Sequence, residues 1–264
     1  INMFVNKMFA AGTMEGAVTY LNNASLLVSV PHAIYGTTIA AIIFTLLSEQ
    51  VEDKKKYQQT FFTGMQISFV SLMPIAVGLL LVGKQAISFI YEGGKFTAED
   101  TQNTYLALVL YLPMIVTQGM QYIVSKSMYA QGRTATVFRV SATTILLNLV
   151  LNWLLVEPFG YPGLALTSSL VSVYYLSVTS FIVYKDFERG EKRKLAGLFV
   201  RVLIPTIIMA IPLYLLERYT GITEWYSLLQ LAVLIPLGAV LYAAGLYLFY
   251  RDAFRQLLRL VKRR

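Results

Sequence analysis

The chain contains no cysteine, which excludes disulfides, a thiolate nucleophile and cysteine-ligated metal. His32 is its single histidine, and neither an HExxH, a GxGxxG nor a Walker-type phosphate loop occurs, nor any pair of carboxylates inside an apolar run. Covalent chemistry is therefore not expected: the protein reads as a non-enzyme with no metal site and no cofactor. Charge is scarce as well. Asp, Glu, Lys and Arg make up 14% of the residues, against about 25% in a typical soluble domain. The longest polar interruption, "YKDFERGEKRK" from Tyr184 to Lys194, is too short to build a soluble core, and the opening has neither the basic start nor the small-residue cleavage site of a signal peptide.

What is abundant is apolar surface: 56% of the 264 residues are hydrophobic and the mean hydropathy is +0.60. Runs of roughly 20 apolar residues, enough to cross about 30 Å of hydrocarbon at about 1.5 Å per residue, recur along the whole chain. They predict spanning helices over about 17–47, 61–83, 103–129, 134–156, 162–184, 198–217 and 226–250. The opening "INMFVNKMFAA" is apolar but too short to span alone, and it starts at Ile1 without an initiator methionine. It reads as the tail of one more helix. The expected fold is all-α: a polytopic membrane bundle of seven full transmembrane helices plus one truncated at the N-terminus.

The net charge of +8 is distributed by position. Seventeen Lys and Arg residues fall in or beside 48–60, 130–139, 185–200 and the C-terminal tail, whereas the alternate connections hold only Lys84, Lys95 and Arg218. The positive-inside bias places the first set, and the C-terminus, in the cytoplasm, and basic clusters at helix ends meet anionic headgroups. Membrane lipids rather than nucleic acid are the expected partners. The tail 251–264 sets Phe254, Leu257, Leu258 and Val261 against a basic face, the pattern of a helix lying on the inner leaflet.

Polar residues inside spanning segments are costly and tend to face a cavity or another helix. Asn22, Ser25, Ser29 and His32 recur at helical spacing on 17–47, making one polar stripe, and Pro31 in the same helix removes a backbone hydrogen bond and predicts a kink. Two readings of the stripe stand: a wet or substrate-facing surface, or serines bonded back to their own turn with asparagine as helix glue. Lys7 and Lys126 are the two lysines within apolar segments. Lys126 reads as a snorkelling residue or a substrate contact; Lys7, beside Asn2 and Asn6, either faces the cavity or snorkels at the outer interface. Gln118, Gln121 and Ser125, and the pair Asn148 and Asn152, read as helix glue. Gly163, Ala165, Ser168 and Ser172 form a small-residue packing face.

Several separated motifs then agree in order and spacing. The run "FAAGTMEGAVTYLNNASLLVSVPHAIYGTTIAAIIFTLLSE", the loop "FIYEGGKFTAEDT", and "SMYAQGRT" followed by "YPGLAL" resemble the C-terminal half of the MviN/MurJ-type lipid II flippases, of the multidrug/oligosaccharidyl-lipid/polysaccharide exporter superfamily. The resemblance implies a bacterial cytoplasmic-membrane transporter with two six-helix lobes around a central cavity and two extra helices forming a hydrophobic groove. On that plan 1–185 is the second lobe, 186–197 a basic cytoplasmic linker, 198–250 the groove pair and 251–264 the cytoplasmic tail. The implied function is flipping of lipid II, or of another polyprenyl-pyrophosphate-linked saccharide of O-antigen, teichoic or capsule type, by alternating access against a first lobe; a non-transporting scaffold of the same fold is the rival from another class. Substrate contacts would come from Lys7, Asn22, Ser25, Ser29, His32 and Lys126, and hinge motion from Pro31 and Gly36. The sequence departs from the family where an aspartate-arginine pair often precedes the mid-helix proline: here stand Ser25 and Leu26. In the loop 89–100, Gly93 and Gly94 are expected to turn the chain, with Thr97 capping the next helix. The loop reads as a hairpin and not as a phosphate cradle.

Overall fold

A computed structural model describes residues 2–187 and 189–255, and every regular element in it is helical. In chain order these are α1 (Asn2–Ala10), α2 (Ala17–Glu49), α3 (Lys54–Tyr91), α4 (Ala98–Ala130), α5 (Thr134–Phe159), α6 (Tyr161–Lys185), α7 (Arg189–Tyr219) and α8 (Ser227–Phe249), with one 3₁₀ turn at Ile222–Glu224. Each long helix corresponds to one predicted span. Among the described residues, six helices, α3 to α8, are long and apolar enough to cross a membrane. Within α2 the described stretch Ile39–Glu49 is also apolar. The protein is an all-α membrane bundle.

Helix ends follow local chemistry. Asp53 caps α3, accepting from the Lys56 backbone N–H at 3.1 Å and pairing with its ammonium at 3.0 Å. That backbone bond first, and the lysine side chain second, hold the Asp53 carboxyl below the usual carboxylate range. The loop after α3 is closed by reciprocal 3.0 Å bonds between Gly93 and Phe96. Gly94 takes φ +59° there, a left-handed conformation that glycine adopts without penalty. Thr97 and Asp100 then form a capping box at the start of α4. The expected hairpin is present. One boundary differs from expectation: α7 begins at Arg189, inside the stretch read as linker. Lysine, arginine and glutamate are good helix formers, so the helix runs several turns beyond the part that hydropathy marks. After the non-helical Tyr250, residues 251–255 are helical again, while the rest of the proposed tail, 256–264, lies outside the described residues.

Packing sorts the helices into two groups. α4 is the central helix, lying against α2, α3 and α6, and α5 packs on α6. At the α5–α6 turn a Cβ on Gly163 would lie 2.3 Å from the Leu155 carbonyl oxygen, so the close approach needs a residue without a side chain. The second group is the α7–α8 hairpin, which docks on α3. There Tyr242 Oη donates to the Val70 carbonyl (2.7 Å), Gln66 Nε2 donates to Tyr250 Oη (2.8 Å) and Gln85 Nε2 donates to Glu217 Oε1 (2.7 Å). All eight prolines of the chain lie within helices: Pro31, Pro74, Pro113, Pro158, Pro205, Pro212 and Pro236 in the body, and Pro162 in the first turn of α6.

Candidate functional site

A cavity of about 650 Å³ opens within the first group of helices, walled by α1, α2, α4, α5 and α6. From α2 come Ser25, Ser29 and His32; from α4, Tyr111, Gln118, Gln121 and Tyr122. Asn6 of α1, Thr144 and Asn148 of α5, and Ser168, Ser172 and Tyr175 of α6 complete the polar part of the wall. Among the described residues no Asp, Glu, Lys or Arg lines it.

Three of the four residues of the predicted stripe line this cavity. Ser25, Ser29 and His32 reach the cavity, whereas Asn22 does not line it. Both serines bond back to their own turn, Ser25 Oγ donating to the Asn22 carbonyl (2.8 Å) and Ser29 Oγ to that of Leu26 (2.7 Å), while both residues line the wall. Pro31, the expected kink, lies between Ser29 and His32, and Gly36 sits one turn further on, 3.4 Å (measured from an added Cβ) from the ring of Tyr122. Neither predicted lysine is brought to the cavity. Lys7 is exposed; its neighbour Asn6 is buried and faces the cavity instead. Lys126 lies near the end of α4 with its ammonium 4.9 Å from the centroid of the Phe44 ring, a cation–π contact with α2.

Of the residues read as glue, Gln121, Ser125 and Asn152 join helices. Gln121 Nε2 donates to Ser172 Oγ and to its carbonyl, both at 2.7 Å, and Ser125 Oγ lies 2.9 Å from Tyr175 Oη, so α4 and α6 are laced along one face. On the opposite wall Asn152 Nδ2 donates to Asn6 Oδ1 (2.7 Å), and Asn6 Nδ2 donates to Ser168 Oγ (2.8 Å). This buried chain of amides ties α1 to α5 and α6. Not every polar group is so used. The Met114 main chain lies beside the His32 ring, yet neither ring nitrogen makes a hydrogen bond of proper geometry, and Asn148 Nδ2 also has no partner among the described residues. His32 is 6% exposed and Asn148 1% exposed. The edge of the His32 ring meets Tyr122, centroids 6.3 Å apart.

Sequence reasoning did not pick out Tyr111, Tyr122 and Tyr175 as wall residues, because a tyrosine in an apolar helix reads as core or interface. The available signal was spacing: Tyr111, Gln118 and Tyr122 fall at i, i+7 and i+11 of α4, one face of a helix.

A second, apolar cavity of about 390 Å³ lies between α3 and the α7–α8 hairpin. Ile75, Val82, Met209, Leu213, Leu234 and Ile235 line it, together with Tyr242. Its α7 and α8 lining residues fall within 198–217 and 226–250.

Known proteins share this architecture. A solved structure of lipid II flippase MurJ in an inward closed conformation superposes with a TM-score of 0.78 at 24% identity, covering 95% of this chain and 51% of that one. The probable lipid II flippase MurJ of Buchnera aphidicola subsp. Acyrthosiphon pisum is 24% identical over 252 residues, 94% of this chain and 49% of that protein. The lipid II flippase MurJ of Thermosipho africanus is 26% identical over 243 residues, 90% and 46% respectively. The chain thus spans about half the length of the curated relatives it matches. Residues 1–235 match the family model described as lipid II flippase MurJ, and the chain belongs to that family.

Proposed function

We propose that this chain forms one lobe and the lipid groove of a transporter that flips a polyprenyl-pyrophosphate-linked saccharide, lipid II, across the bacterial cytoplasmic membrane. The observation that carries this reading is the juxtaposition of a polar cavity among α1, α2, α4, α5 and α6 with an apolar groove among α3, α7 and α8. An amphipathic lipid-linked sugar has the same two halves. Residues 1–185 act as the moving lobe, working by alternating access against a first lobe; the pair 198–250 cradles the polyprenyl tail. Ser25, Ser29 and His32 contact the substrate and Pro31 with Gly36 gives α2 its hinge. Lys7, Asn22 and Lys126 serve packing or interface roles. Transport needs no covalent step and no cofactor.

The gene encoding this chain should rescue a strain depleted of its lipid II flippase. Rescue of only a capsule or O-antigen defect would instead assign another lipid-linked saccharide, and rescue of neither would leave a scaffold.

A multi-pass inner-membrane protein is what the family and the apolar helices give; its orientation is part of the proposal. The α3–α4 hairpin faces outward and the C-terminus inward. A cysteine at Lys95 in this cysteine-free chain should react with an impermeant maleimide in intact cells, and one at Lys185 only after lysis. The opposite pattern would reverse the orientation.

A further inference from the structure

The polar cavity is built for an uncharged ligand, which is unexpected for a transporter whose substrate carries a pyrophosphate. Its described wall contains amides, hydroxyls and tyrosine rings from five helices and no formal charge. A pyrophosphate placed there would lose its hydration without gaining a counter-charge, a large penalty. Sugar hydroxyls, in contrast, both donate and accept, as the groups awaiting a partner require. A neutral imidazole offers one donor and one acceptor, and a primary amide offers donors. In this cavity His32 of α2 has both ring nitrogens unpaired, and Asn148 on the α5 wall has its Nδ2 unpaired; both residues are more than nine-tenths buried and both line the space. Buried polar groups are almost always satisfied, so two open ones lining a single cavity mark where a ligand or water completes the bonding. The tyrosine rings of Tyr111, Tyr122 and Tyr175 add flat apolar surface of the kind that the faces of a sugar ring cover, and 650 Å³ falls within the roughly 300–1,000 Å³ of small-molecule sites.

The geometry points to a saccharide subsite inside this lobe, with His32 and Asn148 as its hydrogen-bonding contacts and with the pyrophosphate held elsewhere. This rests on the transport reading for its biological meaning, but its test does not. A single cysteine introduced as Ser29→Cys, on the wall of a chain that has no other cysteine, reports occupancy through its rate of alkylation by a small maleimide in the purified protein. Uncharged N,N′-diacetylchitobiose should slow that reaction severalfold, inorganic pyrophosphate should not, and Lys95→Cys should be indifferent to both. Adding His32→Phe should raise the half-protecting sugar concentration about tenfold, as loss of one hydrogen bond does, while His32→Gln, which keeps a donor and an acceptor, should retain most of the protection. Protection by pyrophosphate equal to that by the sugar, or no protection by the sugar, would overturn the subsite; unchanged protection in His32→Phe would overturn the role of His32. Since the probes have no lipid and nothing is translocated, sugar protection in a protein that fails complementation would uphold the subsite and sink the transport reading. Complementation without protection would do the reverse.

Discussion

The polar cavity and the apolar groove are made from similar long, proline-containing helices, yet they are held together in different ways. Around the cavity, neighbouring helices are joined through buried side-chain pairs such as Asn152 to Asn6 and Gln121 to Ser172, and the same faces carry the open groups of His32 and Asn148. Around the groove the walls are aliphatic, and the polar fastenings of Gln66, Gln85 and Tyr242 grip α3 from the side. In a membrane, hydrophobic burial does not drive helices together. A polar cavity can therefore use its own lining as the adhesive, whereas an apolar groove has to import one.

The largest effect that separates the two regions is expected at Gly163. A valine there meets the Leu155 backbone, which cannot move aside as a side-chain tip does. Gly163→Val should cost about 3 kcal/mol by overpacking, measurable as lost thermal stability in detergent, and should open the α5–α6 wall while leaving α7 and α8 docked. Next is the amide chain. Asn152→Leu removes the donor to Asn6 Oδ1, and should lower stability by about 1–2 kcal/mol, the range for interhelical polar bonds in model membrane peptides; a denaturation midpoint equal to wild type would show that α1 is held by packing alone. A photoreactive polyprenyl phosphate should label 198–250 more than 134–184. Equal labelling would erase the distinction between groove and cavity. The smallest effect belongs to the fastening of the groove: Tyr242→Phe, which deletes one hydroxyl, should cost about 0.6 kcal/mol and leave cavity alkylation rates unchanged.

Much of the architecture was legible because hydropathy reports lipid exposure directly: each span read from the sequence corresponds to one long helix. Hydropathy stops being informative where the helix leaves the lipid, which is why α3 runs out to Lys54 and Tyr91 and α7 back to Arg189, past the segments 61–83 and 198–217. The stripe on α2 was legible from spacing alone, since its alternatives were apolar. The facing walls were less so. Gln118 and Asn148 show the same chemistry as Gln121 and Asn152, yet two line the cavity without a bond across helices and two are engaged in one. Nothing local tells these apart, because the difference lies in which helix arrives opposite. Lys7 shows the same limit in reverse. One residue of helical rotation separates it from Asn6, and that rotation exchanges an exposed ammonium for a buried amide.

The internal prolines have a consequence for how the bundle is wired. A proline has no N–H, so the carbonyl four residues before it loses its partner within the helix. Pro74 does this to Val70, and the Val70 carbonyl is the one that accepts from Tyr242 of α8. α3 thus has a spare acceptor at Val70, and α8 docks on it. Pro74→Ala, ordinarily a change that firms up a helix, would supply a competing N–H from within α3 and so weaken the attachment of α8. At position 74 the proline serves α8 as a socket.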